Sequence, residues 1–436
     1  MKISRIDLWH VAIPTRATFR PSWIPGFPQT ENRFTLIRLV TASGIEGWAA
    51  GAAIARERQG LGSLLGPYLL GERADDIASV RQRIREMGYL GVRSGWIEPA
   101  CWDIVGKARG KPVWELLGGA PGAVRLYAST GELRPAAERA RDVEQRLAEG
   151  FSAVKLRVHA PTLAEDVALI EGVRSAVGEK AVLGVDANQG WRVAVVADAP
   201  RWDFERALAF CRRAEELGYS WVEEPLPMDD HAGLARLRAS LPSIDLAGGE
   251  LNSQGLPEFR AMIEKGCYDL YQPDATFCGG VAETWQIVQL VKAAGARYTP
   301  HTWTNGIGFA VNLQLQGASP FRADTLLEYP LEPPGWIPEV RDGILDAPWT
   351  HARGELELPR APGLGFRIDK RALRRFGKRF FTATPLRVAV SAVLDKGIAV
   401  AREAGATRDA RLAARTAELD ARGDLVDHAL RTEPGA

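Results

Sequence analysis

The segment AVLGVDANQ, residues 181–189, is a short apolar run that ends in a carboxylate, and SWVEEP, residues 220–225, repeats this design. Short apolar runs of this kind are typical of strands buried in a parallel sheet. Between the two runs, residues 204–217 place apolar side chains three and four positions apart, which is the period of an amphipathic helix. This part of the chain is therefore predicted to be built from strand–helix–strand units.

The same unit recurs from Leu126 to Glu328. The eight predicted strands are residues 126–129, 153–158, 181–185, 220–222, 245–247, 270–272, 296–300 and 325–327. Eight units of this kind predict an α/β fold, a (β/α)₈ TIM barrel, which typically takes about 250 residues and carries its active site at the carboxyl ends of the strands. The last unit is the least regular, so closure of the barrel is an inference.

Other segments flank the barrel, which we assign to residues 126–344. Residues 1–125 combine strand-like alternation with helical periodicity and predict an N-terminal α+β domain, to which residues 345–382 are expected to return. Residues 15–33 are predicted to be a long functional loop that carries Trp23. Residues 383–436 predict a helical tail, with an apolar stripe for packing or for contact within a homo-oligomer.

Composition excludes several classes of protein. The 436 residues include 55 Lys and Arg against 54 Asp and Glu, so no basic excess indicates a nucleic-acid or membrane partner. The four cysteines form no C-x-x-C pair, which excludes a thiolate zinc site of the usual spacing and fits a reducing cytoplasm. P-loop, serine-hydrolase and zincin motifs are absent. We therefore expect a cytoplasmic protein that acts on a small molecule.

Polar residues end seven of the predicted strands, and these ends meet at one rim of a barrel. In chain order they are Lys155 with Arg157, Asp186, Glu223, Glu250, Asp274, His301 and Glu328. A single carboxylate at a strand end is more often a helix cap, but carboxylates on three successive strands favour a shared cation. Asp186, Glu223 and Glu250 offer hard oxygen ligands and predict one Mg²⁺ per site.

The remaining rim residues have two interpretations each. Lys155 and Arg157 share one strand face and could form a structural ion pair or contribute to catalysis. His301 could be a buried core histidine, but Asp274 on the neighbouring strand suggests a carboxylate that fixes the imidazole tautomer. Glu224 should point to the opposite strand face from Glu223, so we interpret it as structural.

Several motifs resemble the mandelate racemase group of the enolase superfamily. They are VDANQ (185–189), WVEEP (221–225), GE (249–250), QPD (272–274) with GG (279–280), and PHTW (300–303). The stretch IEPACWDI (97–104), continued to LLGG (116–119), is similar to the capping-domain helices of the same family. The resemblance covers residues 1 to about 380 and implies a modified barrel beneath an α+β capping domain.

The resemblance also implies a reaction, the removal of a proton α to a carboxylate. It places magnesium on the three carboxylates named above and gives Glu328 a hydrogen bond to the substrate carboxylate or to an enediolate oxygen. It proposes Lys155 and residue 157 as base groups on one side of the substrate, and His301 with Asp274 on the other. Such a proton is very weakly acidic, so a cation and well-placed donors must stabilise the enediolate that forms.

Arg157 departs from the family pattern, since most members carry a second lysine there. A guanidinium has a pKa above about 12 and is a poor base. The base therefore stays open between His301, Arg157, Lys155 and His159, which would share their face if the strand continued. Racemisation needs acid/base groups on both faces of the α-carbon, whereas dehydration can use one base and one acid, and Arg157 favours dehydration.

We therefore expect a magnesium-dependent dehydratase that converts an aldonate or aldarate to a 2-keto-3-deoxy acid, with His301 as general acid. The alternatives are a racemase or epimerase of a 2-hydroxy carboxylate and, from another class, a non-catalytic protein that binds acid sugars. Asn188 and Trp23 are expected beside the substrate. The long connection from Asp186 to Glu223 carries Trp191, Pro200 and Trp202, which predict an extra lid or a surface excursion.

Overall fold

The computed structural model describes residues 1–53, 61–89, 93–191, 196–421 and 424–431. The N-terminal part contains β1 (Ile3–Phe19), β2 (Gln29–Thr41), β3 (Glu46–Ala52), α1 (Leu61–Leu69), α2 (Ile77–Tyr89), α3 (Pro99–Arg109) and α4 (Val113–Leu116). The three strands form an antiparallel meander, and α3 packs closely on it at Gly47, where an added Cβ would collide with the carbonyl of Ala100.

The expectation of a long loop over residues 15–33 is wrong. β1 continues to Phe19 and pairs there with Gln29 at the start of β2, so only residues 20–28 lie between the two strands. In this part of β1, Arg16 and Thr18 are exposed and alternate with more buried neighbours. Polar residues are therefore tolerated at the end of β1, and this part of the strand is not recognisable from its sequence.

The barrel strands overlap the eight predicted runs. They are β4 (Ala123–Ser129), β5 (Ala153–Arg157), β6 (Val182–Asp186), β7 (Trp221–Glu223), β8 (Asp245–Gly248), β9 (Leu270–Tyr271), β10 (Arg297–Tyr298) and β11 (Leu327–Pro330). The strands are parallel, and their hydrogen-bonded order is β10-β9-β8-β7-β6-β5-β4-β11. Their apolar side chains pack with those of the surrounding helices in the largest buried cluster among the described residues.

Threonine side chains close the seam between β10 and β11, which share no backbone ladder in the described sheet. Thr299 Oγ1 donates a hydrogen bond of 2.7 Å to the carbonyl oxygen of Leu326. Thr325 Oγ1 donates one of 2.9 Å to the carbonyl oxygen of Tyr298. These hydroxyls take the place of ladder hydrogen bonds, so the barrel closes through side chains.

The strands are separated by α5 (Ala136–Ala148), α6 (Leu163–Val177), α7 (Phe204–Glu216), α8 (His231–Ala239), α9 (Leu256–Lys265), α10 (Val281–Ala293) and α11 (Gly306–Ala318). Between β11 and the next strand, residues 355–357, the described chain has only the short α12 (Pro338–Arg341) in place of an eighth long helix. The expectation of eight complete βα units is therefore corrected in the last one, and the fold is a modified TIM barrel.

The chain then returns to both sheets. β12 (Glu355–Glu357) pairs antiparallel with β4, and after α13 (Lys370–Phe376) the strand β13 (Gly377–Ala383) pairs antiparallel with β1. The N-terminal sheet thus has the order β13-β1-β2-β3.

The tail forms α14 (Pro385–Lys396), α15 (Ile398–Asp420) and α16 (Leu425–Arg431). Ion pairs of Arg411 with Glu72 and of Arg415 with Asp76 attach α15 to the N-terminal domain. The predicted apolar stripe does not pack on this chain, because its four residues are 37–80 % exposed: Val390, Val393, Leu394 and Ile398. Among the described residues, no helix combines the length and apolar character needed to cross a membrane.

Candidate active site

Strand register brings the rim residues together. Arg157 on β5 lies beside Asp186 on β6, and Asp186 lies beside Glu223 on β7. Glu250 follows β8 after Gly249, whose φ of 105° favours glycine and turns the chain at the rim. The pairing of neighbouring strands thus determines which of these side chains lie next to each other.

Asp186, Glu223 and Glu250 form a buried acidic triad. One carboxylate oxygen of each lies within 4.8 Å of the others. Burial raises the pKa of Glu223 to about 7 against the opposing attraction of Lys155, and burial also raises the pKa of Glu250. The three carboxyl groups offer converging hard oxygen ligands, and two of them need further positive charge nearby to be fully ionised. This arrangement fits a divalent cation.

Lys155 is fully buried among these carboxylates. Its Nζ lies 2.6 Å from Glu223 Oε1, 2.8 Å from Glu328 Oε1 and 3.7 Å from Asp186 Oδ2. Burial disfavours the ammonium charge, but Glu223 and Glu328 more than compensate, and the pKa of Lys155 lies above its usual value. The side chain is therefore held as a cation.

Arg157 is also held as a cation. Its guanidinium forms an ion pair with Asp186, and Nε donates a 2.6 Å hydrogen bond to the carbonyl oxygen of Thr130. The guanidinium carbon lies 5.2 Å from the ring centre of Trp23 and 5.6 Å from that of Trp303, as in cation–π contacts. Although burial opposes the charge, the surrounding carboxylates, Asp186 first, raise the pKa of Arg157.

His301 lies between two carboxylates. Nδ1 is 3.0 Å from Asp274 Oδ2, and Nε2 is 3.3 Å from Glu250 Oε2. Asp274 is itself oriented, because its Oδ1 accepts hydrogen bonds from Thr276 and from Asn312 Nδ2. Burial lowers the pKa of His301, but Glu250, Glu328 and Asp274 outweigh burial and raise it to about 10.

Glu328 lies within β11 and is fully buried, an environment that by itself favours the neutral acid. Its Oε1 accepts hydrogen bonds from Lys155 and Ser129, and its Oε2 accepts one of 2.7 Å from the backbone N–H of Thr302. Despite burial, Lys155 and His301 lower the pKa of Glu328 to about 2. The side chain is an ionised acceptor at the rim.

His159 does not continue the face of Lys155 and Arg157, so the expectation that depended on strand continuation is wrong. β5 ends at Arg157, and the backbone of His159 leaves the strand with φ of 152° while its N–H donates to Asp166 Oδ1. Burial, and then the charge of Arg157, lower the pKa of His159 to about 4, so the imidazole is neutral near pH 7.

A cavity of about 340 Å³ adjoins the site. Its lining includes Trp23, His159, Asn188, Trp191 and Pro200. Asn188 links the N-terminal hairpin to the rim, because its N–H donates to Asp186 Oδ1 and its Oδ1 accepts a 2.7 Å hydrogen bond from Ser22 Oγ. The three predicted substrate-binding residues, Trp23, Asn188 and His159, thus all line this cavity.

The long connection after β6 contributes one residue to the site and one to the core. Trp191 Nε1 donates a 3.2 Å hydrogen bond to Glu250 Oε1. Trp202 is buried and packs on Phe210. The connection is therefore partly a wall of the site, and its residues 192–195 lie outside the described ones.

Sequence reasoning missed Ser129 and Gln272. Ser129 Oγ donates to Glu328 Oε1 and accepts a 2.8 Å hydrogen bond from Trp303 Nε1. Gln272 Nε2 donates a 2.8 Å hydrogen bond to Glu223 Oε2. Ser129 ends β4 and Gln272 directly follows β9, so a search of every strand end that included uncharged side chains would have found both.

Comparison with known proteins agrees with this arrangement. The family profile described as "Enolase C-terminal domain-like" matches residues 138–372, and "Mandelate racemase / muconate lactonizing enzyme, N-terminal domain" matches residues 10–118. The chain is 31 % identical over 358 residues to D-galactarolactone cycloisomerase of Agrobacterium fabrum, covering 78 % of this chain and 90 % of the relative. It is 29 % identical to L-talarate/galactarate dehydratase of Salmonella typhimurium, covering 81 % of this chain and 86 % of that protein.

A solved structure extends the likeness of fold. L-Talarate dehydratase from Polaromonas sp. JS666, in complex with Mg and L-glucarate, aligns with a TM-score of 0.72 at 24 % identity and covers 88 % of this chain and 99 % of its own. The two family profiles, the relatives and the rim motifs agree with one another. The chain belongs to the mandelate racemase/muconate lactonizing enzyme group of the enolase superfamily.

Proposed function

We propose that the protein dehydrates an acid sugar, an aldonate or aldarate, to a 2-keto-3-deoxy acid. One observation carries this choice: the two sides of the rim differ in chemistry. Arg157 and Lys155 are cations held in ion pairs with Asp186, Glu223 and Glu328, whereas His301 is an imidazole oriented by Asp274. Proton transfer at one face is sufficient for dehydration but not for racemisation.

The bonds broken and formed balance without a further reactant. The C2–H bond breaks and its proton passes to a base, while the electron pair moves toward the carboxylate to give the enediolate. Return of this pair forms the C2=C3 double bond and expels the C3 hydroxyl. The C3–O bond breaks, and the departing hydroxyl takes a proton from His301 and leaves as water. The resulting enol then becomes the 2-keto-3-deoxy acid. One imidazole can perform both transfers in turn, because it can take the C2 proton and return it to the hydroxyl.

The cation and the other rim residues stabilise the charge that develops. A divalent cation on Asp186, Glu223 and Glu250 would supply positive charge to the substrate carboxylate and would neutralise Glu250, which otherwise raises the pKa of His301. Lys155 adds a buried positive charge next to the triad, and Arg157 adds a planar donor set suited to a carboxylate. The ionised Glu328 can accept a hydrogen bond from a substrate hydroxyl.

The cavity supports a sugar acid as substrate. Its buried polar side chains, the neutral His159 and Asn188, suit hydroxyl groups, and the aromatic rings of Trp23 and Trp191 suit the carbon-bound hydrogens of a sugar chain. The Salmonella relative is by name a dehydratase of two aldarates. These points support the sugar-acid class and leave the individual sugar to experiment.

A racemase or epimerase of a 2-hydroxy carboxylate is the second candidate. Racemisation needs acid/base groups on both faces of the α-carbon. Lys155 lies on β5 and His301 follows β10, so two titratable groups face the site from different strands, which favours this candidate.

The experiment is a screen of purified protein with Mg²⁺ against aldonates and aldarates, with 2-keto acid formation measured in each reaction. We expect at least one acid sugar to give a 2-keto-3-deoxy acid. Inversion at the α-carbon without a keto acid would support the racemase instead. Binding without any product across the whole set would support a non-catalytic acid-sugar-binding protein.

A further inference from the structure

Trp191 contacts the acidic triad from outside it. Its indole Nε1–H donates a 3.2 Å hydrogen bond to Glu250 Oε1, while Glu250 Oε2 lies 3.3 Å from His301 Nε2. Both oxygens of one predicted metal ligand are therefore engaged by ring nitrogens. An indole can only donate, so Trp191 cannot itself replace an oxygen ligand of a cation.

The backbone before Trp191 is fixed to the neighbouring strand end. The N–H of Gln189 donates to the carbonyl oxygen of Glu224, and the carbonyl oxygen of Gly190 accepts from the N–H of Met228. A Cβ at position 190 would collide with the Glu224 carboxylate, so glycine lets the two approach closely without displacing that side chain. The indole that follows is thereby delivered to Glu250 by a constrained piece of chain.

We propose that Trp191 is a positioning residue for Glu250, and that its N–H holds this carboxylate in the orientation required to bind the divalent cation. The hydrogen bond occupies one lone pair of Oε1 and leaves the remaining lone pairs of the carboxylate for the cation. Hydrogen bonds from outside the ligand set commonly contribute 10- to 100-fold to metal affinity. This inference rests on the cation site of the proposed function, and it does not depend on which acid sugar is the substrate.

A purely structural role for Trp191 makes a different prediction. Trp191 also lines the cavity, and a phenyl ring could replace most of that wall. If wall formation were its whole contribution, removal of the N–H would leave cation affinity unchanged. Cation affinity therefore distinguishes positioning from packing without any assay of turnover.

The test is Mn²⁺ binding to the full-length protein, measured by electron paramagnetic resonance of the free ion. We expect Trp191→Phe to raise the dissociation constant for Mn²⁺ by about 10- to 100-fold. Trp202→Phe is the matched control, because Trp202 lies in the same connection but its buried indole nitrogen has no hydrogen-bond partner in the described structure. We expect the control to bind Mn²⁺ within about 2-fold of the parent, well below the effect of a lost ligand partner.

A second substitution separates the N–H from the size of the ring. Replacement of Trp191 by β-(3-benzothienyl)alanine keeps the bicyclic shape and exchanges the N–H for sulfur, so it tests the inference even if Trp191→Phe folds poorly. Weakened Mn²⁺ binding in this protein supports the positioning role. Parent-like affinity in both Trp191 proteins would overturn that role while leaving the cation site intact. A parent that binds no Mn²⁺ would overturn both.

Discussion

His301 Nε2 lies 3.3 Å from Glu250 Oε2, so the proposed general acid touches a proposed metal ligand. Glu250 is the first of the carboxylates that raise the pKa of His301. The occupancy of the cation site and the protonation of the imidazole are therefore linked, because a charge that neutralises Glu250 also weakens its hold on the imidazolium.

Metal removal should abolish activity and lower thermal stability. The three buried carboxylates repel one another without a cation, and a ligand at 100 times its dissociation constant stabilises a fold by about 2.7 kcal/mol. We expect Mg²⁺ to raise the melting temperature of the chelated protein and to restore turnover. Glu250→Gln should lose both effects, whereas Glu264→Gln, at an exposed position of α9, should keep them. Full activity in metal-free protein would refute the ligand assignment.

Loss of the imidazole should remove dehydration while the fold persists. General acid–base groups typically contribute about 100- to 10,000-fold, so His301→Asn should lower kcat by at least the lower figure. His231→Asn, at the start of α8, is the control and should keep parental kinetics. Persistence of α-proton exchange with solvent in His301→Asn would identify another base, such as Lys155. Persistence of dehydration itself would show that His301 is not the acid.

Arg157 should act through its charge and not as a base. Its pKa is raised by the surrounding carboxylates, which makes a neutral guanidinium still less accessible. Arg157→Lys should therefore keep part of the activity with an unchanged basic limb of the pH profile, and Arg157→Met should lose far more. If α-proton exchange vanished in Arg157→Met but survived in His301→Asn, with substrate still bound by both, the arginine would be the base.

His159 should make stability depend on pH in the acidic range. Its pKa is about 4 in the folded protein against an ordinary value of 6.5, so the folded state binds fewer protons than the unfolded state between these values. The stabilisation is complete above pH 6.5 and is lost as the pH falls toward 4, by up to about 3 kcal/mol at 1.36 kcal/mol per pKa unit. Urea denaturation should show a flatter pH dependence for His159→Gln but not for His231→Gln. Parallel curves for parent and His159→Gln would exclude a buried, neutral His159.

The sequence predicted what depends on local pattern. The apolar runs located the barrel strands, and the rule that strand ends share one rim predicted that Asp186, Glu223 and Glu250 lie together, as they do in the structure. The pairing of His301 with Asp274 was predicted in the same way, because neighbouring strands in a barrel are adjacent in space. These features need only the period of the chain and the topology of the fold.

Features that depend on the path of loops and on distant contacts were not predicted. Whether His159 shared the face of Lys155 depended on where β5 ends, and a single unusual φ moved it into the cavity wall. The contact of Trp191 with Glu250 depends on the path of a long connection that carries no periodic pattern. Closure by Thr299 likewise uses side-chain hydroxyls, which strand patterns do not encode.

Proton nuclear magnetic resonance of the reaction in D₂O tests the central claim most directly. Dehydration of an acid sugar by the Mg²⁺-loaded protein should give a 2-keto-3-deoxy acid, recognised by a new C3 signal next to a ketone and by loss of the C2 proton. Racemisation would instead replace the α-proton by deuterium in an otherwise intact 2-hydroxy acid. We predict the keto acid; an intact hydroxy acid labelled at C2, with no C3 signal next to a ketone, would contradict the account.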